Sequence, residues 1–478
     1  MNAVRTIAGD EWRYWLRSKL AHSVVALFAV ILISVSLLTA LRMGAESSER
    51  AHHQVTAEQT FLSQPDRHPH RMVHYGHYVF RTPAPLALFD PGLDSVTGQS
   101  MFLEGHRQNS ATFSASGASA DLGGLSHLTP AMIYQIFAPL LIILLGHSAI
   151  VREREAGALA PLLAQGVSGR TLVGGKALAL FAFVGLLLIP LIVSALIAIG
   201  KGESPLAAFS LIGVYFLYLS VWGGITLLAS SVLRKRSTVI AALAALWLVF
   251  TLVLPAIAVN VASHSAPLAG KIETELAMLT EAQELSDGHN ANDSAFDQLR
   301  DGLLKQQDVE RVEDLNVNIR GVVAQHAEET LTEAMNLYAD KRMEGELRQA
   351  NLVANHGWVT PVLAVAVASR TVSGTGLEHY HRFLRQAEEL RYEFVQGLNK
   401  VHAEQLSYSD DINRSRDEAS QLRTRMNAAN WQLLNEFRVE VETASERLAS
   451  TGSPITMLAV WMAVLSGLLI WAGGRLKP

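Results

Sequence analysis

The sequence predicts an all-α membrane protein with six transmembrane helices and two large extracytoplasmic insertions, the second of them helical. Three observations carry this prediction. Six apolar segments without Asp, Glu, Lys or Arg are each long enough to cross about 30 Å of hydrocarbon. Charged residues make up 17% of the 478 residues, whereas soluble domains carry about a quarter. Basic residues gather in alternate connections between the apolar segments.

The apolar segments are expected to be helices, because backbone polar groups in lipid must hydrogen-bond within their own segment. Twenty residues precede the first segment and no small-residue cleavage pattern follows it directly, so we interpret it as a retained helix rather than a signal peptide. Pro190 lies in the third segment and Pro255 in the fifth. The predicted spans are residues 21–41, 131–150, 177–199, 206–233, 237–261 and 455–472.

Lysines and arginines in short loops predict the orientation, because such loops stay on the cytoplasmic side. With six spans, the basic stretches all fall on one side: Arg5, Arg13, Arg17 and Lys19; Arg152, Arg154, Arg170 and Lys176; Arg234, Lys235 and Arg236; Arg475 and Lys477. The short loop on the other side has only Lys201, balanced by Glu203. We therefore expect both termini in the cytoplasm, in a multi-pass protein of the bacterial inner membrane.

The two long connections, residues 42–130 and 262–454, are predicted to lie outside the cell membrane. From residue 262 to 451 there are 31 acidic and 19 basic residues, a net charge of −12, so the rest of the chain carries about +7. Helical periodicity runs through this second insertion, and its apolar run Val359–Ser369 is too short to span, which favours a buried packing helix over a membrane-dipping one. Proline, glycine and serine predict a mixed or irregular first insertion, with a strand or turn near Tyr75–Phe80.

Residues 1–20 and 151–176 flank the membrane on the predicted cytoplasmic side. The first has the pattern of an amphipathic helix lying in the headgroup plane, with one face formed by Val4, Ile7, Ala8, Trp12, Trp15, Leu16 and Leu20. The second reads as a charged turn, a short amphipathic helix and a Gly-Val-Ser-Gly break. Such a short helix can dock in a partner's groove; the alternative is a solvated loop whose charges only fix the topology.

The second segment contains a family signature, formed by Glu153, Arg154, Glu155, Gly157, Leu159, Leu162, Leu163, Val167 and Ser168, then Leu172, Gly175 and Lys176. It resembles the type-two ABC permeases, the class that exports drugs, lipids and polysaccharides. The resemblance implies that residues 151–176 form the coupling helix that contacts an ABC ATPase. It also implies a dimer, in which two copies, or this chain and a related permease, pair with two ATPase subunits.

Two runs in the insertions narrow the resemblance. Residues 75–94 with 103–109, and residues 373–389, are similar to a subgroup of permeases labelled multicopper enzyme maturation. Because a family does not fix a substrate, the cargo, if any, stays open. The large insertions also leave room for a periplasmic or outer-membrane partner.

No phosphate-binding loop is present, since Gly169 and Gly174 have the spacing but Gly175 stands where the lysine is required. We therefore expect a permease subunit that is not itself an enzyme and binds no cofactor directly, with ATP and Mg²⁺ on the partner ATPase. No nucleic-acid partner is expected. The alternatives are a mechanotransmitting ABC complex that moves nothing across the membrane, or a receptor or scaffold with an extracytoplasmic sensor domain.

Histidines are concentrated in the first insertion, which holds eight of the chain's 17. His68, His70, His74 and His77 form a possible copper or zinc set, because imidazole suits both metals. Pro69 interrupts this spacing and the chain has no cysteine, so surface or core histidines are the competing interpretation. The others in this insertion are His52, His53, His106 and His127. For Glu378, His379, His381, Glu388 and Glu389 we expect an exposed helical face rather than a metalloenzyme site.

Overall fold

A computed structural model describes residues 2–94, 96–112, 128–286, 288–434 and 436–476. His127 and Lys477, which the sequence singles out, lie outside these residues. The described chain is mostly helical, and six helices are long and apolar enough to cross a membrane. The predicted helical class and the number of spans are therefore confirmed.

The first half of the chain supplies five of those helices. Its elements are α1 (Asn2–Arg17), α2 (Lys19–Leu62), α3 (Pro69–Tyr75), β1 (His77–Phe80), a 3₁₀ turn (Pro85–Leu88), β2 (Ser100–Leu103), α4 (Pro130–Met132), a π-helical turn (Ile133–Phe137), α5 (Ala138–Gly146), α6 (Val151–Glu155), α7 (Leu159–Ala164), α8 (Gly169–Leu187), α9 (Ile189–Gly200), α10 (Pro205–Val232), α11 (Arg236–Leu248), a second π-helical turn (Val249–Val253) and α12 (Leu254–Ser265).

The regular elements described in the second half are all helical, and the last of them is the sixth spanning helix. These elements are α13 (Lys271–Leu285), α14 (Asp297–Gln307), α15 (Ile319–Asn355), α16 (Pro361–Ser373), α17 (Leu377–Gln405), α18 (Tyr408–Asn413), α19 (Glu418–Arg423), α20 (Ala444–Ser450) and α21 (Gly452–Arg475), with 3₁₀ turns at Ser294–Phe296, Val312–Asp314, His356–Trp358 and Ala428–Leu433.

The spanning helices differ in extent from the apolar segments of the sequence. Helix α2 runs for 44 residues, about 66 Å at 1.5 Å per residue, so it continues far beyond the apolar part that ends near Leu41. The segment 177–199 lies on two helices, because α8 begins at Gly169 and ends at Leu187 and α9 follows after a break. Pro190 lies in the first turn of α9, and its missing N–H interrupts the helical hydrogen bonding.

Two π-helical turns interrupt the second and fifth spans, each just ahead of a proline, Pro139 and Pro255. A proline cannot donate to the carbonyl four residues back, so the turn widens there. Side chains from other helices reach these turns. Trp247 Nε1 donates to Ile136 O at 2.8 Å, and Thr360 Oγ1 donates to Phe250 O at 2.7 Å.

Helix α10 occupies the centre of the membrane body, where Tyr215, Tyr218 and Trp222 are fully buried. Helix α16 packs against both α10 and α21, and its apolar residues are almost all buried. Most of the apolar run Val359–Ser369 thus lies in a helix that is buried between two spanning helices. By contrast, the fifth span, Arg236–Ser265, lies at the edge of the helix bundle, and only 11% of its apolar 18-residue stretch is buried.

The two regions between the spans, residues 63–129 and 266–451, meet in one hydrophobic core. Phe61 and Met72 from the first half pack with Phe383, Phe394 and Trp431 from the second. Strands β1 and β2 pair antiparallel, which confirms a strand in the 75–80 stretch. We call the end of the membrane body beside this core the far end, and the end with α1, α6 and α7 the motif end.

Candidate functional site

The signature residues form a compact turn at the motif end. Helix α6 carries the signature residues Glu153, Arg154 and Glu155. A glycine turn follows, and the six-residue helix α7 precedes the start of α8. Gly157 and Gly166 stand on either side of α7 with φ of 69° and 87°, a conformation that other residues rarely adopt. Ser168 caps α8, since its hydroxyl accepts the N–H of Thr171 at 3.1 Å.

A buried cluster of charges joins α1, α6 and α8. Glu11 is 0% exposed and Lys176 is 2% exposed. Lys176 Nζ lies 2.5 Å from Glu11 Oε2 and 3.0 Å from Glu153 Oε1. Arg152 Nη2 completes the cluster at 2.7 Å from Glu11 and 3.2 Å from Glu153. Two acids and two bases therefore neutralise one another at the junction of three helices.

The other two charges of the motif attach it to the fourth and fifth spans. Arg154 donates to Leu233 O at 2.6 Å and to Ser231 O at 2.9 Å, which satisfies carbonyls at the end of α10 that have no helical partner. Glu155 forms an ion pair with Arg236 and accepts its backbone N–H at 2.8 Å. All three charged side chains of the motif thus bind within the chain.

Glycines allow the helices around this turn to approach closely. A Cβ on Gly175 would lie 2.6 Å from Ile7 Cβ, so this position lets α1 cross α8. A Cβ on Gly169 would lie 2.2 Å from Gly473 O, so the start of α8 packs on the end of α21. Gly175 and Lys176, at the end of the signature, therefore both hold α1 against α8.

The apolar and uncharged signature residues present the outer surface of the turn. Leu159 is buried against the body, whereas Leu162, Leu163 and Val167 are half-buried. Gly157 and Ser168 are exposed, and so are Pro161, Ala164, Gln165 and Gly166. This uncharged strip is the part of the motif that is available to a partner.

Glu11 is the residue that sequence reasoning missed. It lies on the face of α1 that also carries Ala8 and Trp15, both buried, whereas Leu16 and Leu20 are exposed and do not belong to that face. The signal was present, because an acid three residues after Ala8 and four before Trp15 falls on the same side of a helix. A buried acid requires a cationic partner, and Lys176 and Arg152 supply it.

The four predicted metal ligands divide between three places. His70 and His74 come together on α3, where they meet His106 and His289. His68 caps α3 by accepting the N–H of His70, and its Nε2 lies 3.2 Å from Asp411 Oδ1. His77 is buried on β1.

Burial sets the protonation of these side chains. It lowers the pKa of His77 to about 4. It also lowers the pKa of His68 to about 4, although Asp411 opposes this shift. Both rings are therefore neutral near pH 7.

The prediction of an exposed helical face around residues 378–389 is wrong for three of its five residues. His379, His381 and Glu388 are each about 5–6% exposed. Glu388 is held by Arg391, whose Nη2 lies 2.6 Å from its Oε1, and Arg391 also pairs with Glu328. Arg391 is 1% exposed, so the cluster is internal. The periodicity of α17 failed to reveal it because the partner carboxylate comes from α15.

Comparisons with known proteins match two parts of the chain. The family profile described as "ABC-2 family transporter protein" matches residues 5–337, which contain α1, the signature and five of the six spanning helices. The profile described as "Domain of unknown function (DUF3526)" matches residues 272–440. No curated protein matches the chain.

Proposed function

Because the chain belongs to the ABC-2 transporter family and is a transmembrane permease component, we propose that it couples ATP hydrolysis on a separate ATPase subunit to work at the far end. That work is export of a substrate or a conformational change in the regions 63–129 and 266–451. ATP and Mg²⁺ would bind to the ATPase, whose presence as a partner the family implies.

The uncharged strip at residues 156–168 supports this proposal. Its glycine turns fix the direction of α7, and its half-buried leucines and exposed small residues offer a shallow apolar surface. A short helix of this kind fits into a groove of a partner protein. Behind the strip, Glu153, Arg154 and Glu155 connect it to three helices, α8, α10 and α11. A push on the strip would therefore act on several spans at once.

A chain of hydrogen bonds connects the spans to the far end. Gln135, in the π-helical turn of the second span, donates to Tyr215 Oη at 2.9 Å, and Tyr215 donates to Ser369 Oγ at 3.0 Å. Ser369 in turn donates to Asp90. These bonds run from a spanning helix to α16 and on to the loop after the 3₁₀ turn. They supply a route by which helix movement would reach the far end.

The loop charges favour an orientation with the motif end in the cytoplasm, in a bacterial inner membrane. Two permease subunits would pair with two ATPase subunits. The weakly buried helix Arg236–Ser265 has apolar area for lipid and for a second copy of this chain or a related permease.

The central experiment adds bulk to the strip. Ala164 is exposed at the end of α7, so Ala164→Arg should leave the thermal stability of the permease unchanged while obstructing a docked partner. We expect at least a tenfold loss of ATPase co-purification, measured with the cognate ATPase co-expressed. The matched control is Ala419→Arg, at an exposed alanine in the equally short helix α19.

The outcomes separate the two interpretations of the segment. Loss of association in Ala164→Arg but not in Ala419→Arg supports docking at the strip. Full association and full ATPase activity in Ala164→Arg would mean that residues 151–176 only set the topology.

A second experiment tests the orientation, and the absence of native cysteine makes it clean. Single cysteines at Gln165 and at Ser415 are both exposed positions. An impermeant thiol reagent should label the Ser415 variant in spheroplasts and the Gln165 variant only after the membrane is opened. The reverse pattern would invert the proposed orientation.

A further inference from the structure

Four imidazole rings converge where the two regions between the spans meet. His70 and His74 lie one turn apart on α3, His106 follows β2, and His289 follows α13. One nitrogen from each ring lies within 4.8 Å of the others. Three of the rings thus come from the first region and one from the second.

The distances around His74 are difficult to explain by hydrogen bonding alone. Its Nε2 lies 3.3 Å from His70 Nε2 and 3.2 Å from His289 Nε2. A ring nitrogen has either one N–H or one lone pair, so it forms one good hydrogen bond rather than two. A single metal ion accepts a lone pair from every ring. Tetrahedral bonds of about 2.0 Å place ligand nitrogens about 3.3 Å apart, close to both distances.

His106 is held in place for such a role. Its side chain is 9% exposed, and its Nδ1 lies 3.1 Å from the buried carboxylate of Glu328. Its backbone N–H donates to the same carboxylate at 3.1 Å, which accounts for its unusual φ of 65°. The other ring nitrogen, Nε2, is also buried, and neither ring nitrogen forms a hydrogen bond of good geometry with a described residue. A carboxylate on one nitrogen and a metal on the other is a common arrangement of metal-binding histidines.

We propose that His70, His74, His106 and His289 bind one divalent transition-metal ion, Zn²⁺ or Cu²⁺. Both ions accept imidazole nitrogen readily, whereas Mg²⁺ and Ca²⁺ prefer oxygen. The neutral ring is the form that binds metal.

A second group of potential ligands differs from the four-histidine cluster, because cationic side chains already lie beside it. His68, His402 and Asp411 also lie within ligand distance of one another, and all three are buried. However, Asp411 already lies 3.2 Å from Arg414 and 3.5 Å from Arg320. These guanidinium groups supply the positive charge that a metal would otherwise bring. We therefore assign that group to structure and the four-histidine cluster to metal.

The site would fasten the two regions to each other. His289 stands in the loop between α13 and α14, while the other three ligands belong to α3 and the turn after β2. Metal binding would therefore restrain the segment at His289 against the shared far-end core. This consequence does not depend on ATPase docking, so the two proposals stand or fall separately.

The test uses the full-length protein, purified without a histidine tag and stripped with a chelator. Calorimetric titration with Zn²⁺ or Cu²⁺ should show one ion per chain, and Mg²⁺ should show none. His74 and His289 are exposed, so His74→Ala with His289→Ala should fold normally and lower the affinity at least 100-fold. The matched control is His52→Ala with His53→Ala, two exposed histidines on α2, which should bind as the wild type does.

Spectroscopy provides a second measurement. The electron paramagnetic resonance spectrum of the Cu²⁺-loaded protein should show nitrogen hyperfine structure that the His74/His289 variant lacks. Wild-type affinity no better than about 1 mM, or wild-type affinity in the double variant, would overturn the proposal. Either result would leave the ATPase-docking experiment unaffected.

Discussion

Buried ion pairs stand at both ends of the membrane body, but they are built differently. At the motif end, Glu11 and Lys176 are buried, while the side chains of their partners Arg152 and Glu153 are 13% and 17% exposed. At the far end, Arg447 and Glu203 are both buried, with Nη2 and Oε1 2.5 Å apart, and Arg447 also donates to Val372 O at 2.8 Å. The motif end thus has a junction that reaches the surface. The far end has a sealed connection, in which Arg447 of α20 joins the loop between α9 and α10 to α16.

The difference suggests a division of labour. Several partners share the charges at the motif end, so one contact can loosen while others remain. The pair at the far end has no such reserve, because losing one partner leaves a charge buried and unpaired. We therefore expect the two ends to respond differently to acid and to single substitutions.

Acidification should produce the largest contrast between the ends. Burial lowers the pKa of His68, His77 and His379 to about 4, below the value of about 6.5 in an unfolded chain. The folded state therefore binds fewer protons, and the stability present above pH 6.5 is lost as the pH falls towards 4. Each ring contributes up to about 3 kcal/mol. Hydrogen exchange at pH 7 and 4.5 should show deprotection of the far-end core first. Unchanged protection there at pH 4.5 would contradict this.

Removing the far-end pair should have the next largest effect. Arg447→Ala leaves Glu203 buried without its partner, so we expect a loss of about 3–5 kcal/mol, measured by thermal or denaturant unfolding. The control is Arg438→Ala, whose side chain is 80% exposed beside Glu436 and should cost less than about 1 kcal/mol.

A double-mutant cycle sharpens this result. Glu203→Ala combined with Arg447→Ala should cost less than the sum of the single changes, because no unpaired charge is left. Additive losses would mean that the pair does not act as a unit.

Glu11→Ala should cost less than Arg447→Ala, about 2–3 kcal/mol, because Glu153 still pairs with Lys176 and Arg152. This loss should release α1 from the membrane body, which would be detected as faster proteolysis within residues 2–17. The neighbouring exposed acid provides the control, since Asp10→Ala should behave as the wild type. If Glu11→Ala and Asp10→Ala have the same stability and the same rate of proteolysis, Glu11 does not hold α1 in place.

Glu155→Ala should have the smallest effect on stability of these variants, because its ion pair with Arg236 is partly exposed. Arg236 is left in contact with water, so no unpaired charge is buried. Unfolding measurements on this variant and on Glu153→Ala would rank the two acids of the motif. A greater loss of stability in Glu155→Ala than in Glu153→Ala would mean that Glu155, and not Glu153, is the more important acid for the fold.

The sequence was sufficient for the helical class and the spans, because lipid imposes a simple rule on composition and length. It was insufficient for the continuation of α2 beyond Leu41, since a polar helix that packs on a distant core has no apolar signature. Residues 177–199 were predicted as one span, whereas the structure divides them between α8 and α9 at Pro190. The start of α8 depends on the cap at Ser168.

The sites were predictable only where neighbours in sequence are neighbours in space. His70 and His74 are one helical turn apart, so their pairing was visible, while His106 and His289 reach them through the tertiary fold. His68 looked equivalent to its neighbours but caps their helix instead. At the motif end, the signature identified Lys176 and Glu153, and only the packing of α1 revealed that Lys176 also pairs with Glu11.

The continuous helix α2 connects the two ends. It begins beside α1 and ends in the far-end core at Phe61, and Arg50 fastens its distal part to Asp94 with nitrogen and oxygen 2.7 Å apart. A tilt of about 5° about its first turn would carry the tip about 6 Å, given a length of about 66 Å. A packed core does not stretch by that amount. Under such a tilt the far-end core would move with α2 as one body, so that a small rotation would give a large displacement at the far end.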